Sequence, residues 1–339
     1  FSMTFLGAEG PTSQQAPVYP YLVAAAYAVG GVEQPGSLLI LLLAQAILGG
    51  VMTLGVYRLA EWVAPGRREV SLLAACVAAF HPTLVYSATH VQVACLAATL
   101  VVWTLVWAVR VGETRSLRWA ILAGGLLGLC VLTDPILGLV GFGVLAAIRL
   151  AGGGPGWFAL WKPVAALGAA TAFTLAPWVV RNAWVHGEFV PVKSTFGYAF
   201  WQGNCAISEG TDKVVRRSVE EVLDRSRAAT DLASYNKTLW EARHTAGYID
   251  DVAFTPEFKQ RLGALPEPER SRVLLRMAFA DIRNDPVRYL QLCARRMQYF
   301  WLFDETNPRS RVMVYRASHL ALTGLAILGL VAAGPVARR

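Results

Sequence analysis

Charge is the first thing this chain has little of. Asp, Glu, Lys and Arg together make up 16% of its 339 residues, whereas 55% are apolar. That is more apolar surface than one water-soluble core of this length would bury. Motifs of soluble catalysis are missing as well. There is no Walker loop, no Gly-x-Gly-x-x-Gly opening a helix after a strand, no His-Glu-x-x-His and no Gly-x-Ser-x-Gly, which removes the common nucleotide, zinc-protease and serine-hydrolase readings. Cysteine is scarce, and three of the five, Cys76, Cys95 and Cys130, fall in apolar runs, where a thiol behaves as a small hydrophobe. Cys205 and Cys293 are the pair that could meet outside a membrane; spacing alone does not decide whether they form a disulfide. No basic domain is present either. The net charge is +8, but its Lys and Arg residues are spread between apolar runs, so nucleic acid is not an expected partner.

What the chain does have is a series of apolar runs near the roughly 20 residues that cross a bilayer. They fall at about 36–62, 70–88, 90–110, 119–134, 136–150, 163–180 and 312–334, and predict an all-α, multi-pass transmembrane bundle of about seven helices. Short loops between alternate runs carry Arg58, Arg67 and Arg68, then Arg110, Arg115 and Arg118, then Arg149 and Lys162, and finally Arg338 and Arg339. By the positive-inside rule these loops face the cytoplasm. The long polar region 182–311 is then extracytoplasmic and mostly helical. Residues 1–35 are expected outside too, with an interfacial helix over 16–31 that carries Tyr19, Tyr21 and Tyr27. The expected division is 1–35, a bundle of about six helices over 36–181, an external region 182–311, and a final span with a cytoplasmic end over 312–339. Gly49–Gly50, Gly124–Gly125 and Gly128 predict close helix packing. Pro286 is expected to start a new helix, whose Arg295, Arg296, Tyr299, Phe300 and Trp301 suit the outer leaflet.

Candidate chemistry gathers at the external ends of the runs. Arg181 closes the apolar run 163–180 and is costly to leave unpaired there; its planar guanidinium suits a phosphate, and a snorkelling anchor is the plainer alternative. Asn182 follows it, and Lys193 after Pro191, on an expected extended segment, offers a second positive charge. Trp201 and Asn204 are candidate cavity residues, as is Tyr19. His81 and His90 flank a short turn that could bring two imidazoles to one cavity, although an interfacial His with a satisfied hydrogen bond is the commoner outcome. Asp134 before Pro135 marks a cavity or an ordinary helix start. Asp250 and Asp251 read as solvated carboxylates. No metal-ligand spacing is present, and the Asn236-Lys237-Thr238 sequon has meaning only in a glycosylating host.

Three local patterns carry a family resemblance: GPTSQQAPVYPYLVA (10–24), PWVVRNAWVHGEFVPVKSTFGYAFWQGN (177–204) and NDPVRYLQLCARRMQYFW (284–301). The chain resembles the GT-C glycosyltransferases that use polyprenyl-phosphate sugars, the group of the protein O-mannosyltransferases and the lipid A aminoarabinose transferase. The resemblance implies a cell-envelope enzyme in a bacterial cell membrane, with a membrane lipid carrier and an extracytoplasmic acceptor as partners. The donor substrate would be a polyprenyl-phosphate-linked sugar; no certain cofactor follows, and a divalent metal is left open. Transfer would invert the anomeric carbon, with an acidic base on the acceptor and with Arg181, Lys193 and Asn182 on the lipid phosphate. In the family the base lies upstream of the first pattern, so the chain is expected to be N-terminally truncated; Glu9, the one carboxylate left there, is a poor candidate. Where the family often has an Arg before the Pro between two central spans, this chain has Asp134. The competing class is a transporter or a non-catalytic scaffold. Against it, His81, His90, Asp134 and Arg181 cluster at one external edge instead of at mid-span.

Overall fold

The computed structural model describes residues 10–153, 156–211, 249, 253–304 and 312–336. Glu9, the 236–238 sequon, Asp250 and Asp251 lie outside the described residues. The chain is all-α: among the described residues there are thirteen α-helices and no strand. It divides into two compact units, Ser13–Lys193 and a second comprising Ser194–Arg339 with Phe1–Thr12.

The first unit contains α1 (Val18–Gly30), α2 (Pro35–Val63), α3 (Arg68–Phe80), α4 (Pro82–Thr89), α5 (Ala94–Thr114), α6 (Leu117–Thr133), a 3-10 turn (Pro135–Leu139), α7 (Val140–Ala151) and α8 (Trp157–His186). Among the described residues only α2, α5 and α8 are long and apolar enough to cross a membrane singly. The expected run 70–88 is broken, with α3 and α4 meeting at a 51° bend. Pro82 explains the break, because its ring clashes with the preceding turn and it has no amide to continue the ladder. The runs 119–134 and 136–150 form shorter apolar helices; the 17 residues of α6 rise only about 26 Å. Three to four spans, not seven, therefore meet the length test among the described residues.

Packing in this unit depends on small residues. The core of α5 to α8 includes Ala108, Ala120, Ala123, Leu127, Ile148 and Leu167. A Cβ on Gly124 would stand 2.2 Å from the Leu167 carbonyl, and one on Gly128 would stand 2.6 Å from Thr174, so α6 and α8 meet backbone to backbone. Gly49, Gly50 and Gly125 make no such approach. Contacts also fix direction. Leu48 O accepts from Thr99 and Val51 O from Trp103, so α2 and α5 run parallel; the pairs 124/167 and 128/174 make α6 and α8 parallel to each other. The two-residue link 115–116 turns α5 back into α6. The C-terminal ends of α2 and α5 thus lie at one end of the unit and that of α8 at the other.

The second unit is built on α9 (Phe196–Asn204), α10 (Pro256–Gly263), α11 (Glu267–Asn284), α12 (Pro286–Trp301) and α13 (Met313–Val336). Its core holds Trp201, Cys205, Ile249, Phe254, Leu262, Leu274 and Ala278. Arg270 is buried and donates to the carbonyls of Leu262 and Leu265, both at 3.0 Å, which satisfies the end of α10. As Pro286 predicts, a new helix starts there, capped by Asp285 accepting from the Arg288 amide at 2.9 Å. One face of α12 is held by Arg288, which donates to the Cys205 and Ser208 carbonyls. Cys205 and Cys293 are both free thiols. Burial pushes the Cys205 thiol above its usual pKa, so little thiolate is present at neutral pH. Alkylation of the folded protein followed by peptide mapping should leave Cys205 unlabelled where Cys293, only partly buried, is modified.

Candidate functional site at the end of α8

Helix α8 ends where Gly187 takes a left-handed conformation, φ 67°, and returns its amide to Ala183 O at 2.9 Å. Gly has no Cβ to oppose that conformation. The two turns before this cap carry Trp178, Arg181, Asn182 and His186. Asn182 is fully buried, and its amide is completely used. Nδ2 donates to Val190 O at 3.1 Å and Val192 O at 3.2 Å; Oδ1 accepts from Ser13 at 2.7 Å and Arg181 at 3.0 Å. Two carbonyls on one side and two donors on the other fix which way the amide points. Trp178 Nε1 also donates to Val192 O, at 2.9 Å, so the returning segment 190–192 is tied twice to α8.

Ser13 is the second hub. Its hydroxyl, fully buried, donates to Asn182 and accepts from Arg181 at 2.8 Å. His186 Nε2 lies 2.8 Å from the same oxygen. A hydroxyl has one proton to give, and Asn182 takes it, so His186 must carry its proton on Nε2. Arg181 Nη1 is thereby held between Ser13 and Asn182, while Cζ lies over the Trp178 ring at 4.7 Å from its centroid. A guanidinium set over an indole and hydrogen-bonded through Nη1 keeps its charge in a fixed place. The partial negative charge of the α8 C-terminus helps retain that cation.

Lys193 lies in a bent connection, not a strand, one residue beyond Val192. Its ammonium is 3.8 Å from Asp134. Asp134 also accepts from the Ile136 amide at 3.4 Å and caps the turn that Pro135 begins, so it acts as a helix start and as a counter-charge. Tyr19 belongs to the same unit. Its hydroxyl donates to Gln45 Oε1 at 2.8 Å, and Gln45 Nε2 donates to the His90 and Ala88 carbonyls at 2.9 and 3.1 Å. This buried amide fastens α1 to α2 and to the connection after α4.

The remaining candidates fall elsewhere. His81 and His90 cap opposite ends of the 8-residue α4, a separation of about 13 Å along the helix, and the structure does not bring them together. His90 stacks on Tyr86 at 3.7 Å and bonds the Tyr86 carbonyl at 3.0 Å, whereas His81 is buried at the bend. Trp201 and Asn204 belong to the second unit. Trp201 is 2% exposed and stacks on Phe254 at 4.3 Å. Asn204 donates to Phe200 O and accepts from Arg296. Both hold that core together.

Sequence reasoning missed Ser13, His186 and Gln45. His186 had a signal, since it stands four residues after Asn182 on the same helix face; an isolated Ser and a mid-helix Gln had none.

Comparison with known families matches residues 14–180 to the dolichyl-phosphate-mannose-protein mannosyltransferases. Over these residues the chain is similar to that family, which is part of the GT-C superfamily. It is an integral membrane glycosyltransferase. No curated protein and no solved structure matches the chain. The matched segment ends one residue before Arg181 and contains Ser13's neighbour Gln14, Tyr19, Asp134 and Trp178.

Proposed function

We propose that the chain transfers a sugar from a polyprenyl-phosphate donor to an extracytoplasmic acceptor, inverting the anomeric carbon. The observation that carries this is Arg181, a cation held rigidly over Trp178 by Ser13 and Asn182 at the end of a membrane-crossing helix. The family's name, which specifies dolichyl-phosphate mannose, supports a donor of that chemical class. In the reaction an acceptor oxygen attacks the anomeric carbon, its proton passes to a base, and the bond to the carrier phosphate breaks with its electrons on the phosphate. A fixed cation lowers the energy of that leaving group. Lys193 adds a second, partly neutralised charge; Asn182 acts by positioning Arg181 and the 190–192 segment. Residues Arg58, Arg67, Arg68, Arg110, Arg115 and Arg118 gather at the turns of the opposite end, which by the positive-inside rule supports a cytoplasmic side there and an extracytoplasmic side at Arg181. The reading is tested by incubating the protein with a polyprenyl-phosphate-linked sugar and following free polyprenyl phosphate chromatographically. No release above the Arg181→Gln protein, with any of a panel of donor sugars and acceptors, would contradict it.

Asp134 tempers the site. Converting Asp134→Asn should release Lys193 and strengthen binding of polyprenyl phosphate by about two- to fivefold, since a partly exposed ion pair of this kind is worth no more than about 1 kcal/mol. A binding titration with the carrier alone measures this.

A further inference from the structure

At the other end of the first unit, the C-terminal halves of α2 and α5 line a half-open cavity of about 680 Å³. Its walls carry two ion pairs in the same register, Arg58–Glu61 at 3.2 Å and Arg110–Glu113 at 3.0 Å. Three indoles, Trp62, Trp103 and Trp107, complete them. Trp103 is held by its Nε1 on Val51 O at 2.9 Å, and Trp107 stacks on Trp119 at 4.7 Å, so two of the rings are fixed before anything binds. The mechanism proposed for the α8 end uses none of these groups.

Three properties define the ligand. The first is balance: two guanidinium groups and two carboxylates leave the cavity neutral, so an added anion satisfies the arginines only by stranding the glutamates. A group bearing both a phosphate and an ammonium satisfies all four. The second is exchangeability. The pairs are half-exposed, with Arg side chains at 54% and 57%, and exposed pairs are worth about 0–1 kcal/mol; giving them up for a ligand costs little. The third is what leads to the cavity. On α2 the exposed residues Leu43, Ile47, Val51 and Leu54 follow one another at spacings of four, four and three and end at Arg58, forming an apolar track one helix face wide. Indoles at the level where that track ends suit a membrane interface, and an ammonium over an indole face is favourable.

We infer that this cavity binds one zwitterionic glycerophospholipid of the surrounding bilayer, with its phosphate on Arg58 and Arg110, its ammonium on Glu61 and Glu113, and an acyl chain along α2. This site is separate from the carrier site and does not depend on the transferase reading. The test is native mass spectrometry of the whole chain, delipidated in detergent and then offered phosphatidylethanolamine, phosphatidylglycerol, diacylglycerol or soluble glycerophosphoethanolamine. One phosphatidylethanolamine per chain should be retained, at least about fivefold more than phosphatidylglycerol, with diacylglycerol and the soluble headgroup not retained. Arg58→Gln with Arg110→Gln should reduce retention at least about fivefold. Glu61→Gln with Glu113→Gln should leave a phospholipid bound but abolish the preference for the zwitterion, a change that a misfolded protein would not show. Equal retention of diacylglycerol, or unchanged retention in the arginine double variant, would overturn the inference. Retention of the soluble headgroup would overturn the lipid as its source.

Discussion

Arg181→Gln should lower sugar transfer by about 10²- to 10³-fold, the usual cost of removing one fixed donor from a developing negative charge. The loss should fall on the chemical step as well as on donor binding, because charge on the carrier phosphate grows as its bond to the sugar breaks. Arg181→Lys should recover little. A lysine cannot place a delocalised planar cation against Trp178 or present a second guanidinium edge to a phosphate while one nitrogen is held by Ser13 and Asn182. The measurement is initial-rate release of polyprenyl phosphate at several donor concentrations, which separates the rate at saturation from the concentration dependence. Equal loss of stability in the variant would assign Arg181 to the fold. The expected result is a melting temperature near that of the unaltered protein, since the side chain is only partly buried.

Asn182→Ala should instead act on both stability and activity. The substitution leaves Val190 O without its partner and removes the acceptor that Ser13 and Arg181 share. Each buried polar group so stranded costs about 1–3 kcal/mol, so a loss of about 3 kcal/mol is expected, read as a lower melting temperature in detergent. The informative companion is Asn182→Asp. A carboxylate keeps acceptors toward Arg181 and Ser13 but offers no proton to the carbonyls of Val190 and Val192. It also places a negative charge against Arg181. That variant should bind polyprenyl phosphate less well than Asn182→Ala, although it keeps more of the contacts. The reverse order would mean that the Arg181 charge is not what the carrier meets.

The membrane class and the end of α8 could be read from the sequence because both rest on local properties. Apolar runs of spanning length and an Arg at the close of one need no tertiary information. Pro286 and Asp134–Pro135 were legible for the same reason: a ring that removes an amide starts a helix wherever it occurs. The bend at Pro82 obeys the same rule, but the apolar run continues through it and hides it. What could not be read was the company each side chain keeps. Trp201 and Asn204 follow Arg181 by about twenty residues in one continuous pattern, yet their contacts are with Phe254 and Arg296. Ser13 meets Asn182 across 169 positions, and a serine among other polar residues carries no periodicity. Gln45 lies in the middle of the apolar run of α2, where its character looks like an interruption. Only the carbonyls exposed where α4 gives way to α5 show why an amide is needed there.

The central claim is that the Arg181 end of the first unit holds the phosphate of a polyprenyl carrier. The most direct measurement is an equilibrium titration of the purified chain with polyprenyl monophosphate, run beside Arg181→Gln and beside the Arg58→Gln, Arg110→Gln double variant. Saturable binding that weakens at least about tenfold in Arg181→Gln, the equivalent of about 1.4 kcal/mol, and is unchanged in the double variant is the predicted result. Binding of equal strength in all three proteins, or its loss only in the double variant, would contradict it.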